Sequence, residues 1–207
     1  MPEGDTLQRT AEGLRPHLAG RPVRAARARA VLEVDGSVAV CFDAAAVELI
    51  EERAEAFHPP LAGLGPDLLA DDFDPAKAIR RLRDPARAAG TIAEALLDQR
   101  ALAGIGNVYK SETLFVAGVG PFAAVGELDE VTLLRLVGRA RRLLLANRGR
   151  AARVTTTPEL ARAGRRLCVY GRAGRPCPRC RAPVASRRHG EPPRTTYWCP
   201  RCQGGDR

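Results

Sequence analysis

The stretch Cys177-Pro178-Arg179-Cys180, followed after eighteen residues by Cys199-Pro200-Arg201-Cys202, decides how the C-terminal part of the chain can fold. From about residue 167 onward the sequence is rich in Gly, Pro, Arg and Cys and nearly devoid of apolar side chains. No hydrophobic core of its own can hold such a segment, so it needs a staple. Two Cys-x-x-Cys pairs at this separation match the four-thiolate zinc ribbon: each pair sits on a tight turn that aims two thiolates at one ion, and the intervening residues form a hairpin. Four thiolates leave no open coordination position, so the expectation is one structural Zn²⁺. The alternatives are a disulfide pair or a redox motif. Nothing marks the chain as secreted and no βαβ pattern surrounds either pair, which speaks against both. Cys41, in an apolar strand, and Cys168 read as inert thiols that pack as small hydrophobes.

The charge pattern points the same segment at a polyanion. The chain of 207 residues carries 33 basic and 24 acidic side chains, a net charge of +9. Residues 1–150 hold 20 basic and 21 acidic groups, whereas residues 151–207 hold 13 and 3, so all the excess lies in the last 57 residues. A basic end of this kind fits nucleic acid, with a solvated basic tail as the plainer alternative. All but Lys77 and Lys110 of the basic residues are arginine, the residue that grips phosphate bidentately. Within the hairpin, Arg194 precedes Thr195-Thr196-Tyr197-Trp198 and would project from a short metal-pinned element, which suits a phosphate clamp.

Upstream, Gln99-Arg-Ala-Leu-Ala-Gly104-Ile-Gly106-Asn107-Val-Tyr109 reads as a loop joining two helices. Gly104 and Gly106 permit close backbone approach, and Asn107 is placed to cap the next helix. Backbone N–H groups at a helix start favour phosphate. An ordinary helical corner uses glycines too, so the weight of this motif comes from its company with a basic tail and a zinc ribbon, which together fit duplex DNA.

The remaining pattern is mixed. Apolar spacing predicts a first helix over 5–19, then β-rich runs at 31–34 and 38–42 separated by the hairpin signal Asp35-Gly36. A third strand is expected at 46–50, and the Pro- and Gly-rich stretch 58–67 reads as a connection. Helices are expected from Asp74-Pro75 to about Arg83, through Ile92, Ala95 and Leu96 to near Gln99, from Asn107 onward, and over 128–146. With 45% hydrophobic residues the composition is globular. No apolar run approaches the ~18–20 residues of a membrane span, and the start Met1-Pro2-Glu3-Gly4-Asp5 lacks the regions of a signal peptide. A membrane or secreted protein is therefore not expected.

At the amino terminus, loss of Met1 would expose the secondary amine of Pro2. An α-amino group titrates near 7.7–8.0, so a useful fraction is neutral at pH 7. Such an amine can attack a sugar C1′ and form an iminium, with Glu3 beside it as general acid or base. Met-Pro-Glu is also a common, unremarkable start.

Taken together, Pro2-Glu3-Gly4-Asp5-Thr6, Leu64-Gly-Pro-Asp-Leu68, Gln99 through Gly104-Ile-Gly-Asn107-Val-Tyr-Lys-Ser-Glu112, Val169-Tyr-Gly-Arg-Ala-Gly174, the four Cys and Arg194-Thr-Thr-Tyr-Trp-Cys199 resemble the Fpg/Nei family of DNA glycosylases, in its endonuclease VIII-like branch. The resemblance implies an α+β fold in four parts. These are a shortened N-terminal helix-plus-β-sandwich unit (1–57), a linker (58–71), a helix–two-turn–helix DNA-binding domain (72–166) and a C-terminal zinc-ribbon β-hairpin (167–207). It implies a base-excision repair glycosylase and AP lyase acting on oxidised bases, pyrimidines by the branch, and on abasic sites in damaged double-stranded DNA. Pro2 would be the Schiff-base nucleophile and Glu3 its acid/base partner. Asn107 and Arg194 would hold the phosphates flanking the lesion, and Cys177, Cys180, Cys199 and Cys202 would hold the zinc. The protein would be a monomer in the bacterial cytoplasm, associated with the nucleoid. One element of the family pattern has no counterpart: an early strand with a Gly-Lys-His-like motif, whose lysine assists lyase chemistry, and the residues that fill the gap left by an everted base. Residues 21–29 run almost directly into Val31–Phe42. The rival readings are a DNA-binding protein without turnover and, on the basic tail alone, a zinc-ribbon module for RNA or protein.

Overall fold

The computed structural model describes residues 25–27, 31–34, 37–40, 51–150 and 152–204. The expected first helix, the strand at 46–50, Cys41 and the residues Pro2 and Glu3 lie outside them. The chain divides near residue 63 into two compact units.

In the N-terminal unit, β1 (Ala25–Arg27), β2 (Val31–Val34) and β3 (Ser37–Val40) form an antiparallel meander. Val34 pairs with Ser37, the register that the Asp35-Gly36 dipeptide predicts for a hairpin. Strand β1 arises in a run of Arg and Ala that carries no β pattern of its own; its pairing with β2 defines it. A 3-10 segment, Glu52–Phe57, and a single helical turn, α1 (Pro59–Ala62), follow. This turn falls in the stretch read as a connection, where Pro59 at the helix start supplies the φ a turn needs.

The C-terminal unit is helical, then β. Helix α2 (Pro75–Leu82) starts as expected, with the Asp74 carboxylate accepting from the Ala76 N–H at 2.8 Å. Helix α3 is only Ile92–Ala95, opened by a Thr91/Glu94 capping box; the apolar spacing that suggested a helix to Gln99 continues through non-helical turns that bury Leu96, Ala101 and Leu102. Helix α4 (Asn107–Ala117) and helix α5 (Glu130–Asn147) pack side by side. A short α6 (Pro158–Arg162) leads to the hairpin β4 (Ala185–His189) and β5 (Arg194–Trp198), and α7 (Pro200–Gln203) closes the fold. No helix among the described residues is long and apolar enough to cross a membrane.

The main core gathers Leu68, Ile79, Leu82, Ile92, Leu96, Leu102, Tyr109, Leu114, Leu136 and Leu144 from all the larger helices. A second, smaller core surrounds the metal-type cysteines: Phe115 of α4 packs with Cys168, Val169, Val184 and Cys199. The cysteine-rich segment therefore has an apolar footing after all, borrowed from α4 rather than made from its own sequence. Leu64-Gly-Pro-Asp-Leu68 lies against the turn before the glycine loop, with the Gly65 N–H donating to the Gln99 carbonyl at 2.8 Å. A Cβ at Gly65 would sit 2.6 Å from the Ala101 carbonyl carbon and oxygen, so backbone would have to move. Gly65→Ala is expected to destabilise the unit by about 1–3 kcal/mol, seen as a lower midpoint in denaturant unfolding; an unchanged midpoint would mean that this contact yields freely.

Candidate nucleic-acid interface

The glycine loop is built by a side chain rather than by its glycines alone. The Gln99 amide receives the Gly104 N–H at 3.0 Å and donates to the Ile105 carbonyl at 2.9 Å and the Leu97 carbonyl at 3.1 Å. Gly104 has φ +104°, a conformation that other residues rarely adopt. Gly106 is the N-cap of α4, and no side chain caps it. Asn107 is thus the first helical residue and not the cap that its position suggested. Its amide reaches away from its own helix and donates to the Thr195 carbonyl on β5 at 2.9 Å, while its Oδ1 is buried without a partner.

That bond brings together two residues far apart in sequence. Asn107 opens α4, and Arg194 opens β5 one residue before the carbonyl Asn107 holds; Arg194 itself is exposed. The start of α4 adds the positive end of a helix dipole to the same place. Phosphate oxygens would find here a neutral amide and a guanidinium beside a helix N-terminus.

Helix α4 is the base of this site, and its buried polar side chains face the ribbon. The Lys110 ammonium is 1% exposed and donates to Thr196 Oγ1 at 2.8 Å. Burial, reinforced by the charge of Arg194, pushes its pKa from the ordinary 10.5 down to about 8. Ser111 Oγ accepts the Tyr197 N–H at 3.4 Å. The fully buried Glu112 carboxylate accepts the N–H groups of Cys168, Val169 and Tyr170, each at 2.8 Å, and the Thr155 hydroxyl. Beyond, Tyr170 packs on Tyr197 with ring centres 5.0 Å apart. At the far end of the hairpin, His189 meets Thr91 Oγ1 at 2.9 Å and Glu94 at 3.3 Å, and the Glu94 pKa is lowered chiefly by the Thr91 hydroxyl.

The sulfurs of Cys177, Cys180, Cys199 and Cys202 all lie within 4.8 Å of one another. Cys177 and Cys202 are 3.8 Å apart and Cys180 and Cys199 3.4 Å. Thiolates about 2.3 Å from a tetrahedral zinc would stand about 3.8 Å apart, so the cluster fits that ion, and the spacing is far too long for disulfides. Cys168 is buried elsewhere; burial and the Glu112 carboxylate raise its pKa and keep it a thiol.

Of the residues singled out in the sequence, Asn107 and Arg194 come together, and so do the four cysteines. Gln99, Lys110, Glu112 and Thr196 were missed as contributors. All but Thr196 stood inside the quoted loop-and-helix motif, but a Lys and a Glu on a helix read as solvent-facing until a second element covers them.

Comparisons with known proteins converge on one family. Residues 64–156 match the model of the formamidopyrimidine-DNA glycosylase H2TH domain. The chain is 48% identical over 189 residues to "Endonuclease 8 2" of Mycobacterium bovis, covering 88% of this chain and 70% of that protein. It is 46% identical over 178 residues to "DNA-(apurinic or apyrimidinic site) lyase Nei2" of Mycolicibacterium smegmatis, covering 86% and 66%. Among solved structures, it is similar to Lactococcus lactis Fpg in complex with abasic-site DNA, with a TM-score of 0.62 and 26% identity over 75% of this chain and 57% of that one. The chain spans half to about two thirds of the length of the first curated relatives it matches.

The buried Lys110 makes a pH signature. Because its folded pKa lies near 8 and its ordinary value near 10.5, unfolding takes up a proton between those limits, and its contribution to stability rises as pH climbs from about 8 to 10.5. Relative to Lys110→Met, the parent should gain up to about 3 kcal/mol over that range in denaturant unfolding. Parallel pH curves for the two proteins would show that Lys110 titrates as an exposed amine.

Proposed function

The chain belongs to the Fpg/Nei family of DNA glycosylases, in its endonuclease VIII-like branch, and from that premise we propose that it is a base-excision repair protein with glycosylase and AP-lyase chemistry. Its targets are oxidised bases, chiefly pyrimidines, and abasic sites in duplex DNA. The observation that carries this reading is the Asn107 amide held on the Thr195 carbonyl next to Arg194. It joins a helix start inside the 64–156 family match to the ribbon hairpin beyond it, which supports reading the two as one phosphate-binding surface.

In this reading Asn107 and Arg194 grip the backbone at the lesion. Everting the target nucleotide exposes its C1′. The Pro2 amine adds to the C1′ aldehyde of an abasic site and water leaves, forming an iminium; Glu3 supplies and accepts the protons. Loss of the C2′ proton then expels the 3′ phosphate, breaking the strand. Cys177, Cys180, Cys199 and Cys202 hold one zinc, whose role is to stabilise the ribbon and so to keep Arg194 in place. The domains follow the same division: a catalytic unit over 1–57, a linker over 58–71, the helix–two-turn–helix domain over 72–166 and the zinc finger over 167–207. The protein acts as a monomer in the bacterial cytoplasm, near the nucleoid.

The missing lysine strand favours a specific bias. An abasic site needs no base extracted, whereas an intact damaged base must be unpaired and unstacked at a cost of a few kcal/mol. Abasic DNA is therefore expected to be trapped covalently by borohydride at Pro2, with excision of an oxidised pyrimidine weak. Pro2→Gly and intact mass after Met1 removal are the controls. Tight binding with no trapping would favour the reading of a damaged-DNA-binding protein without turnover.

Two further outcomes test the interface. Metal analysis should find one zinc per chain, and its removal by chelator should unfold the ribbon and abolish duplex binding; a soluble, DNA-binding sample without zinc would overturn the assignment. Arg194→Ala should weaken duplex binding and lower the salt slope of log K by about one phosphate contact, whereas Asn107→Ala should weaken it with a smaller change of slope. An unaltered slope for Arg194→Ala would return that residue to the general basic surface.

A further inference from the structure

Away from Asn107 and Arg194, a recess of about 510 Å³ opens between the end of α6 and the turn after Tyr170. Five guanidinium-bearing residues line it: Arg162, Arg165, Arg166, Arg172 and Arg175, with Gly171 at its wall. Among the described residues, two carboxylates answer them: Glu159, which pairs with Arg162 at 3.4 Å on an open surface, and the buried Glu112, whose charge favours the charged form of Arg172. No side-chain hydrogen bond or ion pair to a described residue holds Arg165, Arg166 or Arg175. Arg172 gives one bond to the Pro176 carbonyl at 3.2 Å, and its Nε is buried without a partner. Burial and the neighbouring charges of Arg165 and Arg175 disfavour its charged form.

These arginines are not a loose fringe. The Thr155 N–H donates to the Arg166 carbonyl at 2.9 Å, the Thr156 hydroxyl to the Arg165 carbonyl at 2.6 Å, and the Arg165 N–H to the Leu160 carbonyl at 2.8 Å. On the other wall, the N–H of Arg175 reaches the Arg172 carbonyl and that of Val184 the Arg175 carbonyl, both at 3.0 Å. The two walls meet at Glu112, whose carboxylate takes Thr155 on one side and Cys168, Val169 and Tyr170 on the other. Like charges held together in a concave site repel unless an anion lies between them. A fold that fixes five guanidinium groups there against two carboxylates, one of them already filled by backbone N–H groups, leaves a net positive recess open to an anionic ligand.

We propose that this arginine recess is a second phosphate-binding station for duplex DNA, separate from the Asn107–Arg194 clamp. The inference rests on the DNA-repair reading above. The occupant is the phosphodiester backbone because the recess belongs to the same scaffold as the clamp. Glu112 and Asn107 are on one helix, and Tyr170, next to the recess, packs at a tilt against Tyr197 of the strand that Arg194 opens. Guanidinium groups engage phosphate oxygens in pairs, and gripping the backbone at two stations fixes the register of a duplex without reading its bases.

The test uses the full zinc-loaded chain and a duplex of about 20 base pairs carrying a central abasic site. Arg165→Gln/Arg175→Gln should reduce the salt slope of log K by about two and the affinity by about tenfold or more near 0.1 M salt. Arg165→Lys/Arg175→Lys should retain most of the slope. Zinc content and unfolding midpoint report whether the variants remain folded; if the pair disturbs the fold, Arg166→Gln should lower the slope in the same direction, by about one. An unchanged slope in the glutamine variants, while Arg194→Ala loses its contact, would overturn the second station and leave the repair reading intact. Failure of the parent protein to bind the duplex would overturn the repair reading, and this inference with it.

Discussion

The buried Glu112 carboxylate is the constraint on which the C-terminal half of this protein turns. A carboxylate taken fully out of water is tolerable only if its lone pairs are filled. Here three consecutive backbone N–H groups and a threonine hydroxyl fill them. One side chain of α4 thereby dictates the path of the chain at Thr155 and again at 168–170. Those two points frame the ribbon on one side and the arginine recess on the other. Replacing the carboxylate by an apolar group would strand the donors, so the interaction is worth far more as a specification of geometry than as a single bond.

Around that anchor, α4 serves two masters. Tyr109 and Leu114 enter the helical core, whereas Phe115 enters the small core around the cysteines. Its polar members, Asn107, Lys110, Ser111 and Glu112, all point to the ribbon or the segment leading into it. The ribbon is too small to be stable on apolar burial alone. It is held by a metal-type cluster at one end and by hydrogen bonds from a helix at the other. The bonds that fix β5 on α4 also fix where Arg194, the proposed phosphate ligand, stands. The burial of Lys110, costly in itself, places a cationic group beneath that strand.

Much of this was legible before any coordinates. The two Cys-x-x-Cys pairs announced the ribbon because thiolate ligands carry their geometry in their spacing. Asp74-Pro75, Asp35-Gly36 and the apolar period of α5 marked their elements because caps, turns and helical faces are local physics. Local signals failed where a partner decides. The apolar spacing after Ile92 persists through non-helical turns because the residues are buried by other helices, not by helical regularity. Asn107 looked like a cap because its position invites it, yet its amide found a carbonyl eighty-eight residues away.

The sequence by itself thus determined the β2–β3 hairpin, the starts of α2 and α4 and the span of α5, the metal-type ligand set, the basic end and the family, all of which depend on residue identity and short spacing. Only the tertiary structure decided what the polar residues of α4 do, that the ribbon borrows an apolar footing from Phe115, and that five arginines face one recess. The reason is the same in each case. A charged or amide side chain on a helix is equally at home in water or against a partner, and which of the two it meets is settled by long-range packing that no local pattern records.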